Sequence, residues 1–315
     1  MALAGTAHRI DPVFILGSRE ANSTKNEPAS LPVILGFSPK GNGVVVVRKD
    51  HRVIEHDLTS REETVLTHSR PILARSPDGK LAIALAPGGI GILDPYARAE
   101  SALTVGGYEH ASFSANNRLA VASDREVQIW DLDNRLLLAT LQTRLPVRNG
   151  LALAPNGETL VIAEGNYRVG MGRTTLLEVW AGQVRLSALR EDAINMGVWG
   201  IAFSGNSEVY GTTTQEYNRS GVRIWRTRGN FLIFEKKGFE AYWTRALAIS
   251  ENGSCAATGD ESGNLVLWDI GSGLAVHRSN LGQVVQSVAF SKDGRFLLAG
   301  LWDSTVRGFE IQYRE

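Results

Sequence analysis

A short pattern returns seven times along this chain, and few architectures tolerate a period of that length. Strand-like segments that end in a bulky residue, in most copies followed by a polar one, recur as VQIWDL at Trp130, LLEVWA at Trp180, VRIWRT at Trp225 and LVLWDI at Trp268. Weaker copies place His56 in RVIEHDL, Leu93 in GIGILDP and Phe309 in TVRGFEI at the same slot. Successive slots are 37, 37, 50, 45, 43 and 41 residues apart, close to the period of about 40 to 45 residues expected of one four-stranded propeller blade.

A second series runs independently of the first. The segments GFSPKG, ARSPDG, SFSANN, ALAPNG, AFSGNS, AISENG and AFSKDG place Ser38, Ser76, Ser114, Ala154, Ser204, Ser250 and Ser291 at steps of 38, 38, 40, 50, 46 and 41. In Ser-Pro-Asp-Gly the proline presets φ for a turn and the glycine accepts positive φ, so each segment reverses the chain between two strands. The flanking runs LAIAL, LAVAS, TLVIAE, CAATG and FLLAG carry strand patterning, and no stretch has a capped helical stripe.

These motifs, above all SPDGKLAIAL, SFSANNRLAVASDREVQIWDL, GDESGNLVLWDI and FSKDGRFLLAGLWDSTVRGFE, resemble the WD40-repeat family over roughly residues 31 to 315. The pattern is divergent. The glycine-histidine dipeptide ahead of each unit is missing, and the Trp-Asp pair is intact only at Trp130-Asp131 and Trp268-Asp269. The family's turn aspartate, six residues before the slot, is kept at Asp50, Asp124 and Asp303 and lost in the other four units. The resemblance implies an all-β fold, a single seven-bladed WD40-like β-propeller over residues 1–315. After Phe309 only six residues remain, too few for a fourth strand, which would leave an open edge. The resemblance therefore implies that residues 8–17 supply the outer strand of the last blade, pairing with Thr305 to Gln312. Residues 18–30, SREANSTKNEPAS, are then a polar connector, and residues 31–315 the seven repeats.

Composition narrows the function classes. Thirty-three Lys plus Arg balance thirty-three Asp plus Glu, which argues against a polyanion-binding surface spread over the molecule, so no nucleic acid is expected. A lone cysteine, Cys255, forbids an intrachain disulfide and any all-cysteine metal site, and a reducing, cytoplasmic setting follows. No apolar run nears the roughly 20 residues that span a bilayer, so no membrane insertion is expected. Phosphate-cradling GxxxxGK, HExxH, CxxC, EF-hand and GxSxG patterns are all missing. In HRVIEH, strand alternation separates His51 and Glu55 from His56, so the three cannot share a metal. No catalytic residue, metal or cofactor is assigned, and the chain is read as a non-enzyme.

Binding is the better prospect, because a propeller holds loops on a rigid scaffold. Trp130, Trp180, Trp225 and Trp268 fill the repeated slot, whereas Trp199, Trp243 and Trp302 do not. Trp199 and Arg245 each lie five residues before a serine anchor, Trp243 lies seven before, and Trp302 immediately precedes Asp303. By family resemblance all four map near one face, and aromatics with arginine are the types enriched in interface hot spots. The long steps place EGNYRVGMGRTT and TTTQEYNRSG between second and third strands of units four and five, read as projecting loops that add Tyr167, Tyr217 and Arg219. Arginine outnumbers lysine 26 to 7, which favours bidentate anion pairing. The expected function is a non-catalytic protein-protein interaction scaffold, a monomeric propeller within a complex, binding a protein or peptide on that face. The alternatives are a pore-located small-ligand binder or hydrolase, or a sensor subunit of a multi-chain assembly.

Overall fold

A computed structural model describes residues 6–16, 34–48, 51–68, 70–85, 89–104, 107–166, 171–180, 183–192, 196–216, 219–237 and 243–314. The connector at residues 18–30 lies outside them, as does Gly17 at the end of the expected closing strand. The described residues form twenty-eight strands, arranged as seven antiparallel four-stranded sheets. Six blades take their strands in chain order: blade one from β2 (Ile34–Phe37) to β5 (Glu63–His68), blade two from β6 (Ile72–Arg75) to β9 (Ala99–Thr104), and blade three from β10 (His110–Phe113) to β13 (Leu136–Gln142). Blade four runs from β14 (Val147–Leu153) to β17 (Gln183–Asp192). Blade five comprises β18 (Met196–Phe203), β19 (Val209–Glu216), β20 (Arg219–Arg226) and β21 (Phe231–Lys237). Blade six comprises β22 (Thr244–Ile249), β23 (Cys255–Asp260), β24 (Asn264–Asp269) and β25 (Leu274–Asn280).

The seventh sheet closes the ring with both ends of the described chain. Its order is β1 (Thr6–Leu16), β28 (Val306–Arg314), β27 (Phe296–Leu301) and β26 (Val285–Phe290). β1 pairs antiparallel with β28 from Thr6↔Arg314 to Leu16↔Val306, two residues further toward the amino terminus than the sequence indicates. Pro12 lies on this outer edge, where its missing N–H interrupts no inner ladder.

Each pair of neighbouring blades shares its own apolar cluster, and the clusters complete the circle. Blades five and six meet through Val222, Ile224, Ile249 and Trp268, and blades six and seven through Leu265, Leu267, Leu297 and Phe309, joined by Ala7 and Ile10 of β1. Blades seven and one meet through Leu298, Val306, Val44 and Ile54. Because both faces of every blade are covered, inner strands cannot alternate apolar with polar. All six residues of β23 are buried. The repeated slot earns its bulk here: Trp225 and Trp268 are almost wholly buried, and the Trp268 Nε1–H donates to Thr258 Oγ1 at 2.9 Å.

The serine anchors hold the turns between first and second strands. Ser204 Oγ donates to Asn206 Oδ1 at 2.7 Å while accepting the Val209 N–H at 3.0 Å. Ser250 does the same with Asn252 and Cys255, and Ser291 with Asp293 and Phe296. Backbone bonds from Ala115 to Pro155 and from Asn206 to Glu251, both 2.8 Å, stitch these turns to the next blade.

Two expectations need correction. The long connections in blades four and five are not loops along their length. Residues 159–166 and 171–180, and likewise 209–216 and 219–226, are continuous strand ladders, because threonine-rich and alternating stretches such as RTTLLEV and TTTQE prefer extended pairing. The turn aspartate is also not lost from blade six. Asp260, eight residues before Trp268, is buried and accepts from the Ser262 and Asn264 N–H groups at 2.8 Å. In HRVIEH, His51 precedes the strand at positive φ, 63°, and does not alternate with it, whereas Glu55 and His56 do separate to opposite faces. Glu55 accepts from Ser38 and lies 3.3 Å from Lys40 Nζ, while His56 Nδ1 lies 3.4 Å from Glu63.

Candidate functional site

Antiparallel pairing puts the starts of first strands and the ends of second strands on one face of the ring, with the serine turns on the other. On that first face the inner strands of the later blades are irregular at corresponding positions. The register slips between Val198 and Gly200 in β18, between Thr244 and Ala246 in β22, and between Val285 and Ser287 in β26. The displaced residues are Trp199, Arg245 and Gln286. A bulge re-aims its side chain away from the regular pleat, and here it turns Trp199 and Arg245 toward each other across the junction of blades five and six.

Blades five and six are then drawn together. A methyl group on Gly200 would sit 2.9 Å from the Arg245 carbonyl and 2.9 Å from Thr213 Oγ1, so only glycine permits this approach of β22 to β18. The Thr244 N–H donates to Ser220 Oγ of β20 at 3.1 Å, and the Trp243 carbonyl accepts from the Glu261 N–H at 3.1 Å. Trp243 is thus fixed on both sides.

The outcome is a compact aromatic and charged cluster. The Trp199 and Trp243 rings stack with centroids 4.9 Å apart and planes inclined by 25°. The Arg245 guanidinium lies over both, 5.3 Å from the Trp199 centroid and 5.1 Å from that of Trp243. Its Nη2 is 2.6 Å from Glu261 Oε1. Trp243 remains 38% exposed and the Arg245 side chain 42%, so the cluster faces solvent although its members hold one another. Cation–π contact and an ion pair together restrict the arginine's rotamers, giving a rigid flat platform whose local charge is balanced.

The structure brings Trp199, Trp243 and Arg245 into direct contact. Trp302 stands one blade on, immediately after β27. Its N–H donates to the Val284 carbonyl at 3.0 Å, the same bond that Glu261 makes to Trp243, so it occupies in blade seven the position of Glu261 in blade six. It is 37% exposed. Tyr167 and Tyr217 lie outside the described residues, and of Arg219 only the backbone is described, at the start of β20. Sequence reading missed Glu261. The available signal was its place just beyond the second strand, opposite the start of the first.

Chemistry at this face is limited among the described residues. No group of three His, Cys, Asp or Glu could hold a metal ion. Cys255 is buried in β23 and burial pushes its thiol up. No described helix is long and apolar enough to cross a membrane.

Comparison with known proteins agrees with the architecture. Residues 274–309 match the WD domain, G-beta repeat family. Over 104 residues, 33% of this chain, the sequence is 29% identical to the small ribosomal subunit protein RACK1y of Oryza sativa subsp. japonica, of which the match covers 30%. It is 22% identical over 220 residues, 62% of this chain, to autophagy-related protein 18 of Kluyveromyces lactis, covering 43% of that protein. The chain thus spans less than half the length of these curated relatives. A chain in the mitotic checkpoint complex superposes with a TM-score of 0.73 at 17% identity, over 96% of this chain and 95% of that one. A chain of Kuenenia stuttgartiensis hydrazine synthase gives 0.69 at 14% identity, over 93% of this chain and 99% of the other. Likeness at such identity concerns the fold.

Proposed function

We propose that this chain, a β-propeller whose residues 274–309 match the WD domain, G-beta repeat family, is a non-catalytic interaction module that docks a protein or peptide on the face carrying Trp199, Trp243 and Arg245. The observation that supports this reading is the stack of the partly buried Trp199 on Trp243, itself 38% exposed, under a guanidinium already neutralised by Glu261. Packing alone needs no such exposure, since Trp225 and Trp268 are almost entirely buried. Large rigid side chains with few rotors contribute most where they meet a partner. The names of the relatives, a ribosomal subunit protein and a chain within a checkpoint complex, fit a scaffold that works in assemblies.

The test is affinity capture from native lysate with the chain as bait and a Trp243→Ala/Trp302→Ala double variant as control. The reading expects partners retained by the wild type to be lost by the variant, with the melting temperature nearly unchanged. Equal capture by both, or collapse of the variant's fold, would overturn it.

A further inference from the structure

The opposite face carries a second irregularity, in the hairpins that join third to fourth strands. In four blades the third strand closes on an aspartate whose carboxylate caps the turn. Asp57 accepts from the Thr59 and Ser60 N–H groups, Asp94 from Tyr96 and Ala97, Asp131 from Asp133 and Asn134, and Asp269 from Ser272. Register identifies the equivalent in blade five. Asp131↔Leu136 and Asp269↔Leu274 close their ladders as Arg226↔Phe231 closes that of β20 and β21. An arginine stands where the carboxylate should be. Asn230 takes the positive φ, 52°, that Arg61, Arg98, Arg135 and Gly273 take in the carboxylate-capped turns, and Gly229 adds a second at 77°.

The substitution changes the charge of the turn. Of the six Lys or Arg in residues 219–237, the register from Gly221↔Lys237 to Arg226↔Phe231 puts Arg219, Lys236 and Lys237 at the far end of the hairpin and Arg226 and Arg228 at the turn, with no acid between them and Phe231. Glu235 is already engaged, 2.5 Å from Arg223 and 3.5 Å from Lys237. The nearest acid on the adjoining turn is Glu208, whose carbonyl accepts from the Thr227 N–H. Arg226 and Arg228 are exposed at the tip. Beside them Phe231 is 68% exposed and Leu232 46%. An apolar pair at this place is not itself the signal, because blade three has Leu136 and Leu137 exposed there too. What blade five adds is the exchange of Asp131 and Asp133 for Arg226 and Arg228.

We propose that the β20–β21 turn docks the propeller peripherally on an anionic lipid bilayer, Phe231 and Leu232 entering the headgroup layer and Arg226 and Arg228 lying over lipid phosphates and carboxylates. Consecutive strand residues point to opposite faces of the sheet. A rigid partner groove covers one face, whereas a fluid interface surrounds both sides of a protruding turn. Cations near an anionic leaflet and apolar residues in its boundary act additively. The contact stops short of a membrane span, and the indole cluster on the other face stays free.

Co-sedimentation of the full chain with phosphatidylcholine vesicles, with and without phosphatidylserine, tests this. Binding is expected only with phosphatidylserine, weakening with added salt. Arg226→Ser/Arg228→Ser should weaken it about thirtyfold, five- to sixfold per arginine, and Phe231→Ser about tenfold. Leu136→Ser/Leu137→Ser, at the matching site of blade three, and Trp243→Ala/Trp302→Ala should bind as the wild type does, which separates this test from that of the opposite face. No binding to phosphatidylserine vesicles, or undiminished binding by the double arginine variant in a chain that melts normally, would overturn the proposal. Capture of a poly-glutamate peptide without vesicle binding would also overturn it, in favour of an acidic protein partner.

Discussion

The ring of Phe14 lies so close over Gly308 that a methyl group placed on the glycine would sit 2.3 Å from two of its carbons. Phe14 belongs to the closing strand β1 and Gly308 to β28, and the aromatic ring packs on toward Val306 and Val44 of the first blade. Gly308→Ala should therefore destabilise the chain by about 1–3 kcal/mol through overpacking. Phe14→Ala should cost a similar amount as a truncation, yet the double variant should cost less than the sum. A thermal or urea denaturation cycle measures that coupling, and simple additivity would mean that the two residues do not meet.

Trp268 tests the inter-blade packing. Its indole is buried between blades five and six and its N–H is held by Thr258. Trp268→Ala should cost about 3–5 kcal/mol. Thr258→Val, nearly the same shape, should cost about 1–3 kcal/mol because it leaves a buried donor unmade. Calorimetric melting of both variants reads the difference.

Asp260 is buried and takes two turn N–H groups together with the Asn264 side chain at 2.8 Å. Asp260→Ala is expected to lower the melting temperature more than Asp269→Ala, whose carboxylate serves an exposed turn. Equal melting shifts would contradict the assignment of Asp260 as the blade's turn residue.

Stability should fall on mild acidification. His56, His110 and His277 are each held below the usual histidine value, and burial is the leading cause in every case. A histidine whose folded pKa is depressed binds protons better when unfolded, so the unfolded state gains as pH falls. Full stability is expected above about pH 7, with a decline that begins near pH 6.5 and continues to the depressed folded values. His56→Gln should flatten the part of that decline due to this residue, as chemical denaturation from pH 7 to 5 would show. Carboxylates such as Asp57, lowered by its turn N–H groups, act only at more acidic pH.

On the indole face, Trp243→Ala alone is expected to weaken partner binding by about 2 kcal/mol or more, while Gly200→Val should reduce it indirectly by forcing β18 and β22 apart. Titration calorimetry on the captured partner would compare the two. Unchanged affinity in Gly200→Val would mean that the close approach of the strands does not set the site.

The ring, its serine turns and its closing strand were legible because they rest on local chemistry repeated at a fixed period: a turn residue, an apolar run, a bulky slot. Asp260 escaped because blade six places its turn two residues further from Trp268 than the family's spacing. The pairing of Arg245 with Glu261 escaped for another reason. Sixteen residues separate them, and only the register Thr244↔Asp260 and the bulge that follows aim one at the other. Trp199 and Trp243 stood out as tryptophans without a slot, but their stacking depends on Gly200, whose small size matters only once two blades face each other. Arg226 looked like an ordinary variant of the slot's polar follower until the carboxylate-capped turns of four other blades showed what it replaces.

The seal made by β1 and β28 also sets an order of events during synthesis. The first strand leaves the ribosome nearly three hundred residues before its mate exists, with Ala7, Ile10 and Phe14 uncovered throughout. Six sheets can pair from neighbouring chain as it emerges, while the seventh must wait for translation to reach residue 314. A ribosome stalled before that point would present a nearly finished ring with one sticky seam, which is where a holding chaperone would find its grip.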